Sequence, residues 1–140
     1  MIQKGLIALE NQQYEDAYDF FDGVLVRLKV FEDQKVQNDA MLGIASVLFY
    51  QNKVDDCIQA IEYVEKNTKE VGALAIIGQL YYGLEMYKES AKSYQNALSA
   101  EPCNVAFQNQ VIDLYTNHLK SNQWLKKVKK YQTDCENNGR

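Results

Sequence analysis

Apolar residues recur along this chain at intervals of three and four, the spacing that keeps side chains on one face of an α-helix. Tyr87, Ala91, Tyr94, Ala97 and Leu98 show the interval clearly. Polar and turn-forming residues interrupt it at Asn11-Gln12-Gln13, Glu32-Asp33, Gln51-Asn52, Asn67-Thr68, Glu85-Met86, Glu101-Pro102 and Ser121. The pattern therefore predicts helices over 2–11, 14–31, 36–51, 54–66, 70–84, 87–100, 104–119 and 122–135. Asn52 or Lys53, Asn104 and Ser121 stand where side-chain or backbone caps would start three of them. No alternating run is long enough for a strand, so the expected fold class is all-α.

The most regular part is Val71 to Asn104. It sets Leu74, Ile77-Gly78, Tyr81, Ser90, Tyr94, Ala97 and Pro102 in the order and spacing of one helix–turn–helix unit. This resembles the tetratricopeptide repeat, a pattern of roughly 34 residues with a bulky residue, a Leu-Gly pair, a Tyr, a small residue, an aromatic and a closing Pro. Related positions return around Ala17, Cys57 and Trp124. The first unit keeps Gly5, Tyr14, Ala17 and Phe21; the second keeps Met41, Ile44-Ala45, Leu48, Cys57, Ile61 and Val64. The fourth keeps Val111 and Tyr115, but Ile112 and Trp124 are large where the pattern wants small residues. The resemblance thus implies a right-handed α-solenoid of three to four repeats with a C-terminal capping helix. Residues 1–140 would form one domain, with repeats about 1–37, 38–70, 71–104 and 105–135 and a tail over 136–140. Because the first repeat begins partway into its first helix, the expectation is either a piece of a longer array or a truncated chain.

Small residues have a packing purpose in such hairpins. Gly5, Ala45 and Gly78 let one helix approach its partner, while Ala17, Cys57 and Ser90 occupy the other side of the crossing. On this reading Cys57 is a small buried hydrophobe rather than a redox group.

Composition narrows the function classes. Apolar content of 46% and charged content of 24% are ordinary for a folded domain, which argues against wholesale disorder. No apolar run reaches the ~18 residues of a membrane span, and the N-terminus has no signal-peptide pattern. Cys57, Cys103 and Cys135 form no CxxC and leave one cysteine unpaired in any disulfide scheme, so a reducing, cytoplasmic setting is expected. With a single histidine, they make a poor zinc site.

Residues 1–119 carry 9 Lys/Arg against 17 Asp/Glu, a balance of −8; residues 120–140 carry 6 against 2, a balance of +4. A body so acidic is not a nucleic-acid-binding surface.

Catalytic signals are almost absent. There is no P-loop, GxGxxG or HExxH, and no cofactor or metal is expected. His118, five residues from Asp113 and without a Ser or Cys in motif context, reads as a solvated or capping residue.

What the resemblance implies for binding is a concave face lined by the first helix of each pair. That face would carry Leu42, Ser46, Phe49 and Tyr50 in the second repeat, and Ala75, Gln79, Tyr82 and Gly83 in the third. Asn109, Asp113, Thr116 and Asn117 would follow in the fourth. Aromatic rings among amides and hydroxyls suit a peptide groove. Relatives of one subtype clamp the C-terminal carboxylate of heat-shock proteins with Lys, Asn and Arg. The matching residues here are Ile2, Leu6, Gly43, Gly72 and Ile76, none of which can hold a carboxylate.

The last predicted helix places Trp124, Leu125, Val128, Tyr131 and Cys135 on one face and Lys126, Lys127, Lys129 and Lys130 on the rest. It reads first as a solenoid cap with a solvated outer side, and second as a basic amphipathic helix for an anionic membrane or acidic partner. The expectation is a non-catalytic adaptor or scaffold that binds a peptide segment of a partner protein. Its alternatives are a small secretion-type chaperone holding a client segment and, third, an enzyme with an unrecognised site. A monomer or weak homodimer is expected.

Overall fold

The computed structural model describes residues 5, 6, 8, 10, 13–28 and 34–138. All its regular structure among these residues is helical. Gly5, Leu6, Ala8 and Glu10 are helical, followed by α1 (Tyr14–Leu28), α2 (Gln34–Tyr50) and α3 (Val54–Asn67). Next come α4 (Val71–Gly83), α5 (Tyr87–Ala100) and α6 (Val105–Asp113), which runs into a π-helical turn over Leu114–His118. The last helix is α7 (Leu125–Asn138). Helix positions follow the apolar period closely. The expectations on 2–4, 7, 9, 11, 12 and 29–33 lie outside the described residues. The last helix begins three residues later than predicted, so Trp124 precedes it.

Contacts divide the chain into two compact units, Met1–Lys69 and Glu70–Arg140. In the first, α2 packs on both α1 and α3. Phe21 from α1 is fully buried, and its ring occupies the space a side chain would need at Gly5 and Gly43. A Cβ at Gly5 would stand 2.7 Å from that ring. Across the α2–α3 crossing, the Cys57 thiol donates to the Ala45 carbonyl at 3.2 Å. Cys57 is 0% exposed, and burial pushes its thiol up to about 11. Such a thiol is a packing group rather than a nucleophile. Asn38 closes the open end of the hairpin by donating to the Asn67 carbonyl at 2.9 Å.

In the second unit, α4 and α5 repeat this construction. The Ser90 hydroxyl donates to the Gly78 carbonyl at 2.8 Å, and the Tyr94 ring fills the space beside Gly78. The turns of the two hairpins also match. Lys53 N–H donates to the Leu48 carbonyl and Met86 N–H to that of Tyr81, each at 2.9 Å. Between them Asn52 and Glu85 both take the left-handed backbone, at φ 61°. This six-to-one closure with a left-handed residue is the Schellman way of ending a helix. Gln13 N–H makes the corresponding bond to Ala8 at 2.8 Å.

The last hairpin departs from the pattern. Leu119 N–H bonds to the Leu114 carbonyl at 2.7 Å as part of a π turn, and the chain turns left-handed only at Lys120 (φ 50°), where Ser121 N–H closes the end on the Tyr115 carbonyl at 2.9 Å. Asn104 caps α6 by accepting from the Phe107 N–H at 3.1 Å, whereas Ser121 accepts only from Gln123 within the turn. Val128 is the fully buried residue of α7. It joins a core of Ala91, Tyr94, Leu98, Val111, Leu114 and Tyr115, with Trp124, Leu125 and Tyr131 packed around it.

The cysteine expectation is corrected here. Cys103 and Cys135, 32 residues apart, form a disulfide. Sequence spacing hides this pair because it is made by antiparallel packing, which brings the start of α6 beside the end of α7. The reducing setting drawn from cysteine spacing loses its support. Among the described residues, no helix is long and apolar enough to cross a membrane.

Candidate functional site

The predicted groove residues fall into both units, and each set is described in its own. In the first unit, Leu42 is 4% exposed and belongs to the core. Its expected place on a binding face is thereby corrected: α2 has packed helices on two sides, and Leu42 points inward. Ser46 spends its hydroxyl on its own helix, donating to the Leu42 carbonyl at 2.9 Å. Phe49 is half-buried and meets Tyr50 edge-on at 5.2 Å. Tyr50 is 57% exposed and stacks on Tyr14, with ring centroids 5.5 Å apart and planes at 6°. Tyr14 is not among the predicted groove residues; the stack sets it beside Tyr50.

The second unit holds a connected polar cluster. Gln79 and Tyr82 lie on α4; Asn109 and Asp113 lie on α6; Thr116, Asn117 and His118 lie on the π turn. The Tyr82 hydroxyl donates to Asp113 Oδ2 at 2.8 Å and lies 2.9 Å from His118 Nε2. Since the phenol has one proton and gives it to the carboxylate, His118 Nε2 carries a hydrogen and donates to the phenol oxygen. Asn117 donates to Asp113 Oδ1 at 2.7 Å. The His118 ring stacks on Tyr87 at 3.9 Å and 17°, and Tyr82 meets both rings edge-on. Gln79, Asn109 and Thr116 are exposed around this cluster and lie outside its bonds.

His118, expected as a solvated or capping residue, does lie in the last turn, where its ring is held by Tyr82 and Tyr87. In a regular α-helix, positions five apart face different ways, which is why Asp113 and His118 looked unrelated. A π turn closes from i to i+5 and brings them to the same side. Nothing in the residue types of 114–118 announces a π turn, so the cluster had no sequence signal beyond the presence of its members.

The hydrogen bonds set the ionisation of the cluster. The bonds from Asn117 and Tyr82 hold the Asp113 carboxyl below its ordinary range, with a smaller contribution from the charge of His118; partial burial opposes them. The bond to Asp113, then partial burial and the charge of the carboxylate, raise the Tyr82 phenol. At neutral pH the site is a fixed carboxylate holding a neutral phenol.

Among the described residues, no group of three His, Cys, Asp or Glu side chains is placed to hold a metal. Surface clefts flank the disulfide, one lined by Pro102, Cys103, Tyr131, Asp134, Cys135 and Asn138 and another by Cys103, Val105, Gln108, Gln132, Cys135 and Glu136. Neither contains a predicted groove residue. On α7, Lys126, Lys127, Lys129 and Lys130 are all exposed, and Lys127 Nζ sits 4.4 Å above the Trp124 ring.

No protein-family model matches this chain, and a search of curated proteins finds no similar sequence.

Proposed function

We propose that the chain is a non-catalytic binding module of tetratricopeptide-like hairpins, arranged as a right-handed α-solenoid, that holds a peptide segment of a partner protein. The observation that carries this reading is the Tyr82–Asp113 bond. It ties the exposed face of α4 to that of α6 and the π turn, the first helices of successive hairpins. Exposed Gln79, Asn109 and Thr116 then surround a carboxylate that is already oriented. Preorganised groups of this kind lose little freedom on binding, which favours affinity. The retained charge of Asp113 selects a segment with a basic side chain.

The ionisation pattern suits recognition of a basic side chain: Asp113 stays an anion and Tyr82 a neutral donor held against it.

A photo-crosslinking side chain at Gln79 or Asn109 should trap one contiguous partner segment. One at exposed Lys92 of α5 should not. Once that segment is synthesised, Tyr82→Ala should weaken its binding at hot-spot scale, roughly 2 kcal/mol or more. Asp113→Asn should weaken it only while the segment keeps its Lys or Arg. Equal trapping at all three positions, or Asp113→Asn acting regardless of the basic residue, would remove this assignment.

A further inference from the structure

We propose that α7 docks on α1 of a second copy of this chain, so that the protein associates with itself through an electrostatic contact. The first two turns of α7 present Lys126, Lys127, Lys129 and Lys130, all exposed. None of them has a carboxylate within ion-pair distance among the described residues. Apart from Lys127, whose ammonium lies 4.4 Å above the Trp124 ring, they do not serve the helix itself. The first turn of α7 has no acidic residue, so Lys126 and Lys127 add to the positive end of the helix dipole instead of offsetting it. The apolar side of α7 faces inward through Val128, Leu125 and Tyr131, which leaves a charged outer surface with nothing apolar to insert into a lipid layer.

A surface of the opposite kind exists on the same chain. On α1, Glu15, Asp19 and Asp22 are exposed at i, i+4 and i+7, one stripe along the helix. It spans about 10 Å at 1.5 Å per residue, and the Lys126–Lys130 step of about 6 Å fits within it. Tyr18 and Phe20, 37% and 38% exposed, border the stripe. Residues 1–69 carry 7 Lys/Arg against 12 Asp/Glu, a balance of −5, so the field of the whole first unit supports the contact. Two different patches meet in this association, so each copy offers both a basic and an acidic surface to its neighbour.

Sedimentation of the full chain tests this directly. At about 20 mM ionic strength the weight-average mass should climb with concentration above that of the monomer. At about 500 mM, where screening acts over a few ångströms, it should fall to the 16.1 kDa monomer, an apparent weakening of at least roughly tenfold. Lys126→Glu/Lys127→Glu/Lys129→Glu/Lys130→Glu should abolish association. So should Glu15→Gln/Asp19→Lys/Asp22→Lys, which spares the start of α1 a positive charge. Each variant alone should stay monomeric, while an equimolar mixture, or one chain carrying both sets, should associate again. Circular dichroism confirms that each variant is folded. A wild type that stays monomeric at low ionic strength overturns the proposal, as does a folded combined variant that fails to regain association. Capture of monomeric wild type on phosphatidylserine vesicles, lost in the lysine variant, also overturns it and assigns the surface to lipid.

Discussion

In the hairpins α2–α3 and α4–α5, a residue on the second helix donates to a carbonyl twelve positions earlier, Cys57 to Ala45 and Ser90 to Gly78. In the hairpin α6–α7 the positions that would do this are filled by Ile112 and Trp124, and a covalent bond fastens one end instead, Cys103–Cys135. At the other end the π turn bonds to a different hairpin: Tyr82 of α4 reaches Asp113 and His118, so these bonds hold α6 against α4 and not against α7. The difference shows two ways of holding helices together. Where backbones can approach closely, packing and one buried hydrogen bond suffice. Where large residues occupy the crossing positions, a covalent tie at one end takes over.

Removing the end tie should have the largest effect. Closing a 32-residue loop restricts the unfolded chain, so Cys103→Ser/Cys135→Ser should cost about 3–4 kcal/mol in denaturant unfolding. Hydrogen exchange should show the loss in α6 and α7 and leave α2 and α3 protected. Equal loss of protection in α2–α3 would mean that the hairpins are not fastened separately.

Filling the close crossing comes next. A Cβ at Gly78 would already stand 2.7 Å from the Tyr94 ring, so Gly78→Leu should cost about 1–3 kcal/mol through overpacking. Gly72→Leu, where a Cβ meets nothing within 4 Å, is the control and should melt like wild type. Similar melting of the two variants would show that the crossing is looser than described.

The smallest effect concerns pH. Asp113 is lowered in the folded state, so its contribution holds above the ordinary carboxylate value of 3.8 and disappears as pH falls through the lowered one. Tyr82 is raised, so its contribution holds below 10.0 and disappears as pH rises through the raised value. Between about 4 and 10 the gap between wild type and Tyr82→Phe should be constant, at about 1 kcal/mol or less for a partly exposed bond. It should narrow outside that window at both ends. A gap that varies across neutral pH would place another titrating group in control.

Most of the helical architecture was legible in the apolar period, because that period is a local property of the chain. The sites of close approach were legible too: Gly5, Gly78, Ala45, Cys57 and Ser90 are small in a background of large residues, and size is written in the residue type. The binding face was only partly legible. Stepping along a helix places Gln79 and Tyr82 together, but it cannot say that Leu42 turns inward, since that depends on which sides of α2 are covered.

By itself, then, the sequence determined an all-helical chain, its turns and its tight crossings, since each follows from neighbours within about one helical turn or from the volume of one residue. Tertiary structure alone decided the rest. Cys103 meets Cys135 because two helices run antiparallel across 32 residues. His118 reaches Tyr82 and Asp113 because the chain stays wound for five residues in a π turn, a difference in backbone hydrogen bonding rather than in residue type. Both pairings join residues brought together by folding, and no local pattern records them.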